Sequence, residues 1–264
     1  MAGMKRNVWW GEYELEIGDS GHWEIGSLGL WMEREASEWK MAYSWNDDED
    51  PELWTYRRNE SFPDAGVQGE RFAVQRTGGT VKLRAVTADR SVVARPRTPF
   101  RVPSGHQTRI LVSSPLWVEI AVGPEPAYLR ELPAKRLSET WFGSTTRDGE
   151  LAYALKTNAR TRLEDLPMRP YRFVTPIVIE NEGPDTLFVE RLNLPVPHLS
   201  IFGAGEALWS EEVRMLRSEV GDVAELDVRS GPPQEAKKAA LLSEPRLAFE
   251  KGHLFRAFSS LLRL

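Results

Sequence analysis

The chain has 264 residues, 41% hydrophobic and 28% charged, with a formal net charge of −5; this balance excludes a wholly disordered or fibrous chain and leaves room for one large β domain or two small ones. It contains no cysteine, which excludes disulfides, thiolate metal sites and cysteine nucleophiles and fits a reducing, cytoplasmic compartment. An acidic balance offers no global electrostatic grip on a phosphate backbone, so nucleic acid is not an expected partner.

In chain order, Lys5 and Arg6 precede only Val8, Trp9 and Trp10, too short an apolar run for a signal peptide. Strict alternation over 12–17 puts Tyr13, Leu15 and Ile17 on one face against three carboxylates, and the turn residues of 18–21 follow. Trp39, Met41, Tyr43 and Trp45 share the apolar face of a half-buried strand over 38–45. Further strands are predicted at 71–75, 80–86, 109–113, 116–122, 127–132 and 151–155, separated by Gly- and Pro-bearing turns. A second series starts at Tyr171: 176–181, 186–194 around an acidic Gly-Pro turn, 199–202, 208–217 and 222–228. These signals predict a mainly β protein of antiparallel sandwich or barrel-like sheets, divided as a Trp-rich β domain over 1–164, a second sandwich-like region over 165–230 and a helical segment over 231–264.

The helical expectation rests on the composition of 234–242, on Ser243 and Pro245 as cap and early proline, and on the recurrence of Leu247, Leu254, Phe258 and Leu261, joined by Phe255 and Leu262. The segment 235–264 carries six Lys or Arg against three Glu. Such an amphipathic helix can cap its own β body, dock in a partner's groove, or lie on an anionic membrane surface. For the docking use, Leu254, Phe255, Phe258 and Leu261 are the predicted partner-binding residues. The longest late stretch without charge, 192–205, contains Pro195, Pro197 and His198 and falls short of the ~20 apolar residues of a spanning helix, so any membrane contact is peripheral.

No motif carries catalytic chemistry. His22, His106, His198 and His253 have no metal-ligand spacing, so neither metal nor cofactor is expected. Seven of the ten tryptophans lie in the first 54 residues; core packing is the first reading of this stripe and a stacking platform for sugars the second. The acidic run 47–52 lacks the spacing of a calcium loop, and Gly203-Ala204-Gly205-Glu206 lacks the third glycine of a dinucleotide fingerprint. Ser104, Ser113, Ser114 and Ser138 are not set in a nucleophile elbow.

Gly29-Leu30-Trp31 with Glu38-Trp39, and the run 176–181 with Arg191-Leu192-Asn193-Leu194-Pro195, resemble an uncharacterised prokaryotic family catalogued as domain of unknown function four hundred and thirty-two, over Trp9 to about Arg229. The resemblance brings no catalytic residues. It implies an accessory or regulatory role beside small-conductance mechanosensitive channels. The expected function is therefore that of a non-enzymatic binding or regulatory protein acting through protein contacts. The alternative is an enzyme or carbohydrate-binding module that uses the aromatic-rich first domain.

Overall fold

A computed structural model describes residues 7–46, 51–63, 67–143, 147, 149–157, 159–219, 221–249 and 254–259. Strand dominates throughout. The chain opens with β1 (Gly11–Glu14), then lays down β2 (Ser20–Ile25), β3 (Leu28–Arg34), β4 (Glu38–Trp45), β5 (Thr55–Arg58) and β6 (Gln68–Ala73). The last five form an antiparallel sheet in the order β5-β2-β3-β4-β6. Next come β7 (Thr80–Val86), β8 (Val92–Pro96), β9 (Phe100–Val102), β10 (His106–Pro115), β11 (Trp117–Val122) and β12 (Ala127–Pro133). Of these, β7, β11 and β12 join β1 in a four-stranded sheet, β1-β7-β11-β12.

The two sheets pack face to face because alternation gives each one an apolar side. Tyr13 of β1 meets Trp23 of β2 edge-on at 5.0 Å and Tyr56 of β5 at 4.8 Å. On β4, Trp39, Met41 and Tyr43 are 1%, 0% and 3% exposed, while half-buried Trp45 at the rim donates its indole N–H to Pro133 O of β12 (2.8 Å). Ile17 departs from the predicted face: β1 ends at Glu14, Leu15 stays buried, and Ile17 is 63% exposed in the turn closed by Asp19 N–H on Glu16 O.

The remainder of the chain supplies β13 (Ser138–Gly143), β14 (Gly149–Thr157), β15 (Arg172–Asn181), β16 (Leu187–Val189), β17 (Arg191–Leu194), β18 (Ile201–Ala204), β19 (Ala207–Trp209), β20 (Val213–Arg217), β21 (Val223–Val228), β22 (Ala240–Ser243), β23 (Leu254–Arg256) and β24 (Phe258–Ser259). The long β15 is paired along its whole length with β10, antiparallel; its other edge carries β19 at the start and β20 at the end, both parallel. Around it lies an eight-stranded sheet that runs out to β22 on one side and through β21 to β23 on the other. A five-stranded sheet, β13-β14-β8-β17-β24, and the pair β16-β9 complete the set. The sheets are thus not purely antiparallel: β8 and β14 are also parallel. Ile110, Ile177, Ile179 and Met215 of the eight-stranded sheet share one core with Val92, Ala94, Leu192 and Leu194 of the five-stranded sheet.

The chain passes from sheet to sheet repeatedly, among other places at β7–β8, β10–β11 and β12–β13. At the β10–β11 crossing only Leu116 separates Pro115 of β10 from Trp117 of β11. Its N–H donates to Tyr171 O (3.0 Å), its carbonyl accepts from Ala134 N–H (2.9 Å), and Ala134 O in turn accepts from Ser27 N–H (2.9 Å). Four segments that border three sheets are thus tied through one backbone run. Gly26, with φ of +65°, sits directly on it: a Cβ there would meet Ala134 O at 2.6 Å and the buried Tyr171 ring at 2.8 Å.

The predicted carboxy-terminal helix is corrected by the structure. Residues 234–236 make a single 3-10 turn, and 240–243 form β22 on the edge of β18. Leu254–Arg256 pairs with β21 and Phe258–Ser259 with β17. Helical spacing of Leu254 and Phe258 is real, yet two open sheet edges supply the backbone partners that a short isolated helix would have to find within itself, and tertiary pairing overrides local periodicity. Arg246, expected on the helix's basic face, donates instead to Thr87 O and to the Glu131 carboxylate.

Two substitutions test this architecture. Trp39→Ala should lower unfolding free energy by about 3–5 kcal/mol, since a fully buried ring leaves a cavity between the first two sheets. Gly26→Ala should cost about 2–4 kcal/mol, from a left-handed backbone conformation combined with an overpacked junction. Urea denaturation reads both, and an unchanged midpoint for Gly26→Ala would show that the junction yields without cost.

Candidate functional site

The tryptophan-rich stripe is mostly interior. Trp9, Trp23 and Trp39 are 0%, 0% and 1% exposed, while Trp10, Trp31, Trp45 and Trp54 are half-buried. Of the predicted partner-binding residues, Leu254 and half-buried Phe255 lie on β23 and Phe258, 1% exposed, on β24; Leu261 lies outside the described residues. Two sheet edges therefore hold the segment that periodicity placed on one helix face.

The histidines are scattered. His106 bonds Ser104 O (2.9 Å), His198 bonds Ala248 O (2.9 Å) beside Phe249, and His253 lies outside the described residues. Among the described residues no group of three or more His, Cys, Asp or Glu side chains is placed to hold a metal ion. Asp47 to Asp50 of the acidic run lie outside the described residues, and Glu52 pairs with Arg169 (3.3 Å). Gly205 and Glu206 make the tight turn between β18 and β19, where the φ of +63° suits glycine. Ser104 donates to Gly183 O and Ser113 accepts from Arg172, so these two hydroxyls are spent on structure.

His22 is the exception. It is 5% exposed, stacks on Trp31 at 4.1 Å across the β2–β3 pair, and holds Glu60 Oε2 through Nδ1 at 2.5 Å. Its Nε2 is buried without a hydrogen-bond partner. The Glu60 carboxyl lies below the usual carboxylate range, chiefly through its hydrogen bond with His22, reinforced by His22 and Arg57 charge and opposed by desolvation.

Among the described residues, a groove and a cleft collect further chemistry, and sequence spacing indicated neither. The first is a groove of about 580 Å³ over the outer face of the four-stranded sheet. Trp10, Tyr128 and Leu242 line it together with Lys82, Arg84 and Glu119. Register builds the polar part: Glu119 is the cross-strand neighbour of Arg84, and they pair at 2.9 Å, while Lys82 stands opposite Glu12 at 3.3 Å. Glu119 also faces Glu131 across β11–β12, a like-charge pair relieved by Arg84 on one side and Arg246 on the other. Tyr128 is 63% exposed; partial desolvation and the Glu131 and Glu119 carboxylates raise its hydroxyl above the usual phenol range, so at neutral pH it remains a donor.

The second is a cleft of about 470 Å³ on the outer face of the eight-stranded sheet, lined by Gln107, Thr108, Arg109, Val178, Glu212, Arg214, Arg229 and Gln234. Arg109 and Arg214 are the neighbours of Val178 on its two sides, from β10 and β20. The Ser210–Glu212 link between β19 and β20 brings in Glu212, whose side chain is 9% exposed and lies 3.3 Å from Arg109 and 3.0 Å from Arg229. Along the chain, Arg109 and Arg214 are positions on two separate strands and Arg229 follows the end of a third. Their convergence depends on which strands flank β15.

Fold and clefts together define an all-β protein of stacked sheets with two charged concave surfaces. The chain belongs to the family described as "Protein of unknown function (DUF432)", whose model matches residues 9–263. No curated protein and no solved structure matches it. Among the described residues no helix is long and apolar enough to cross a membrane.

Glu60 makes the acid limb of stability testable. A carboxyl lowered in the folded state contributes stability above its unfolded pKa, about 4.3, and that contribution is lost as pH falls through the lower folded value. Glu60→Gln should therefore reduce the urea midpoint at pH 7, with the difference from the native protein closing toward pH 3. A constant difference across that range would mean that the His22–Glu60 contact does not govern the titration.

Proposed function

We propose that the protein is a non-enzymatic binding protein that regulates a protein partner, docking a partner segment at the groove over β1, β7, β11 and β12. The observation that carries this reading is the half-exposed grouping of Trp10, Tyr128 and Leu242 around the Arg84–Glu119 pair. Tryptophan, tyrosine and arginine are the residue types that dominate binding energy in protein interfaces. The groove also borders β12, the end strand of its sheet, where an extended segment can add main-chain hydrogen bonds while its side chains drop into the groove. The resemblance to a family associated with small-conductance mechanosensitive channels supports such a channel as the first partner to test, with the protein acting from the cytoplasmic side.

A second reading has its own support in the same place. Aromatic rings flanked by charged hydrogen-bonding groups also suit a sugar ring, which stacks by its apolar face and bonds by its edge.

Tyr128→Ser tests the groove itself, because at 63% exposure the ring contributes little to the core, and the ligand that is bound separates the two readings. With the channel co-expressed and solubilised, native protein should retain it and Tyr128→Ser should lose at least tenfold in affinity, about 1.4 kcal/mol. Equal retention by both forms would remove the groove from docking. Saturable glycan binding that the variant loses, without channel retention, would establish the sugar reading.

A further inference from the structure

The geometry points to a binding site for a small phosphate-bearing ligand in the arginine cleft of the eight-stranded sheet. This site uses none of the residues of the groove and stands independently of the docking reading.

Three guanidiniums reach one carboxylate, and they are not equally engaged. Arg109 is spent: Nε contacts Glu212 Oε2 at 3.3 Å, while Nη1 and Nη2 contact the two oxygens of Glu235 at 2.7 and 3.0 Å. Arg229 approaches Glu212 Oε1 through Nη1 at 3.0 Å, and its side chain is 45% exposed. Arg214 is 3.4 Å from Glu180 through Nη2 and 4.0 Å from Glu212 through Nε, and that Nε is buried with no hydrogen-bond partner. A guanidinium carries five N–H groups in a fixed fork, so Arg214 and Arg229 each keep donors that no carboxylate takes up. These two forks are less fully occupied than that of Arg109.

The surroundings complete the case. Glu212 is almost wholly enclosed, so it anchors the arginines from behind and reduces the entropy a ligand must remove on binding. Gln107, Thr108 and Gln234 add neutral polar groups around the opening, and Val178 lies on its floor between Arg109 and Arg214. The volume of about 470 Å³ is that of a small-molecule site. Donors from β20, from the segment after β21 and from the 3-10 turn at 234–236 line the same cleft, and donors carried by three separate elements suit the tetrahedral oxygens of a phosphate better than the two coplanar oxygens of a carboxylate. Because Glu180, Glu212 and Glu235 offset the three arginine charges, recognition here rests on directed hydrogen bonds and not on a broad positive field. Binding should accordingly weaken much less with salt than attraction to an anionic surface does.

Isothermal titration of the whole chain with inorganic phosphate and with glycerol phosphate tests the site, beside Arg229→Gln, Arg214→Gln and the groove variant Arg84→Gln as control. Saturable one-to-one binding is expected, weakened at least tenfold by Arg229→Gln and kept by Arg84→Gln, with the melting temperature of the unliganded variants showing that each is folded. Arg229 is half-exposed, so its variant carries the test even where Arg214→Gln does not fold. No saturable phosphate binding by the native protein, or binding that folded Arg229→Gln leaves unchanged, overturns the proposal. A further arm with phosphatidic acid vesicles distinguishes the source of the phosphate: vesicle binding that collapses with salt, in the absence of free-phosphate binding, assigns the arginines to a membrane surface and overturns the small-ligand site.

Discussion

The backbone chain through Leu116 is the constraint on which the architecture rests. An N–H or C=O taken out of water has to be paired, because an orphaned buried polar group costs about as much as a lost hydrogen bond. A strand that leaves one sheet for another breaks its ladder at the crossing, and at Leu116 both orphaned groups are taken up, by Tyr171 O and Ala134 N–H. Trp9 closes the same region, with its indole N–H on Pro170 O and its backbone carbonyl held by the Tyr13 hydroxyl. The relative placement of the sheets follows from this junction, and with it the faces that become clefts.

A second polar knot shows the same economy. Arg217, with a side chain only 3% exposed, donates to Asn181 Oδ1, to the Asp185 carboxylate and to Gly221 O, while Asn181 donates to Val102 O and Asp185 O. The acidic Gly-Pro turn after β15 is thereby held against β9 and β20. Here charge and amide are enclosed with their partners satisfied, which is the condition under which burying them is tolerable. The arginine cleft lies at the opposite extreme: its charges are balanced in sum, but the donors of Arg214 and Arg229 are not all taken up.

Much of the strand pattern was legible from the residues. The segments 38–45 and 80–86 coincide with β4 and β7, because alternation of period two states directly which side chains face a core. Where two partners compete for one segment the pattern fails. The predicted run 186–194 divides at Glu190 into β16 and β17, which pair with β9 and β8 of different sheets, and 208–217 divides into β19 and β20 around the Ser210–Glu212 link. The segment from Arg246 onward reads as helix for the same reason: spacing records apolar positions and carries no information about which sheet edges lie open.

Sequence by itself determined the class, a cysteine-free, mainly β chain whose aromatic stripe on β4 packs inward, and it identified the family. Those properties are local, set by composition and by the two-residue period of the pleat. Tertiary structure alone decided that β10 and β20 lie on opposite sides of β15, that β23 and β24 complete two sheets, and that Arg109, Glu212, Arg214 and Arg229 meet. Each of these is a pairing between segments far apart in the chain, chosen by which edges are free once the core has closed, and no spacing along the chain encodes it.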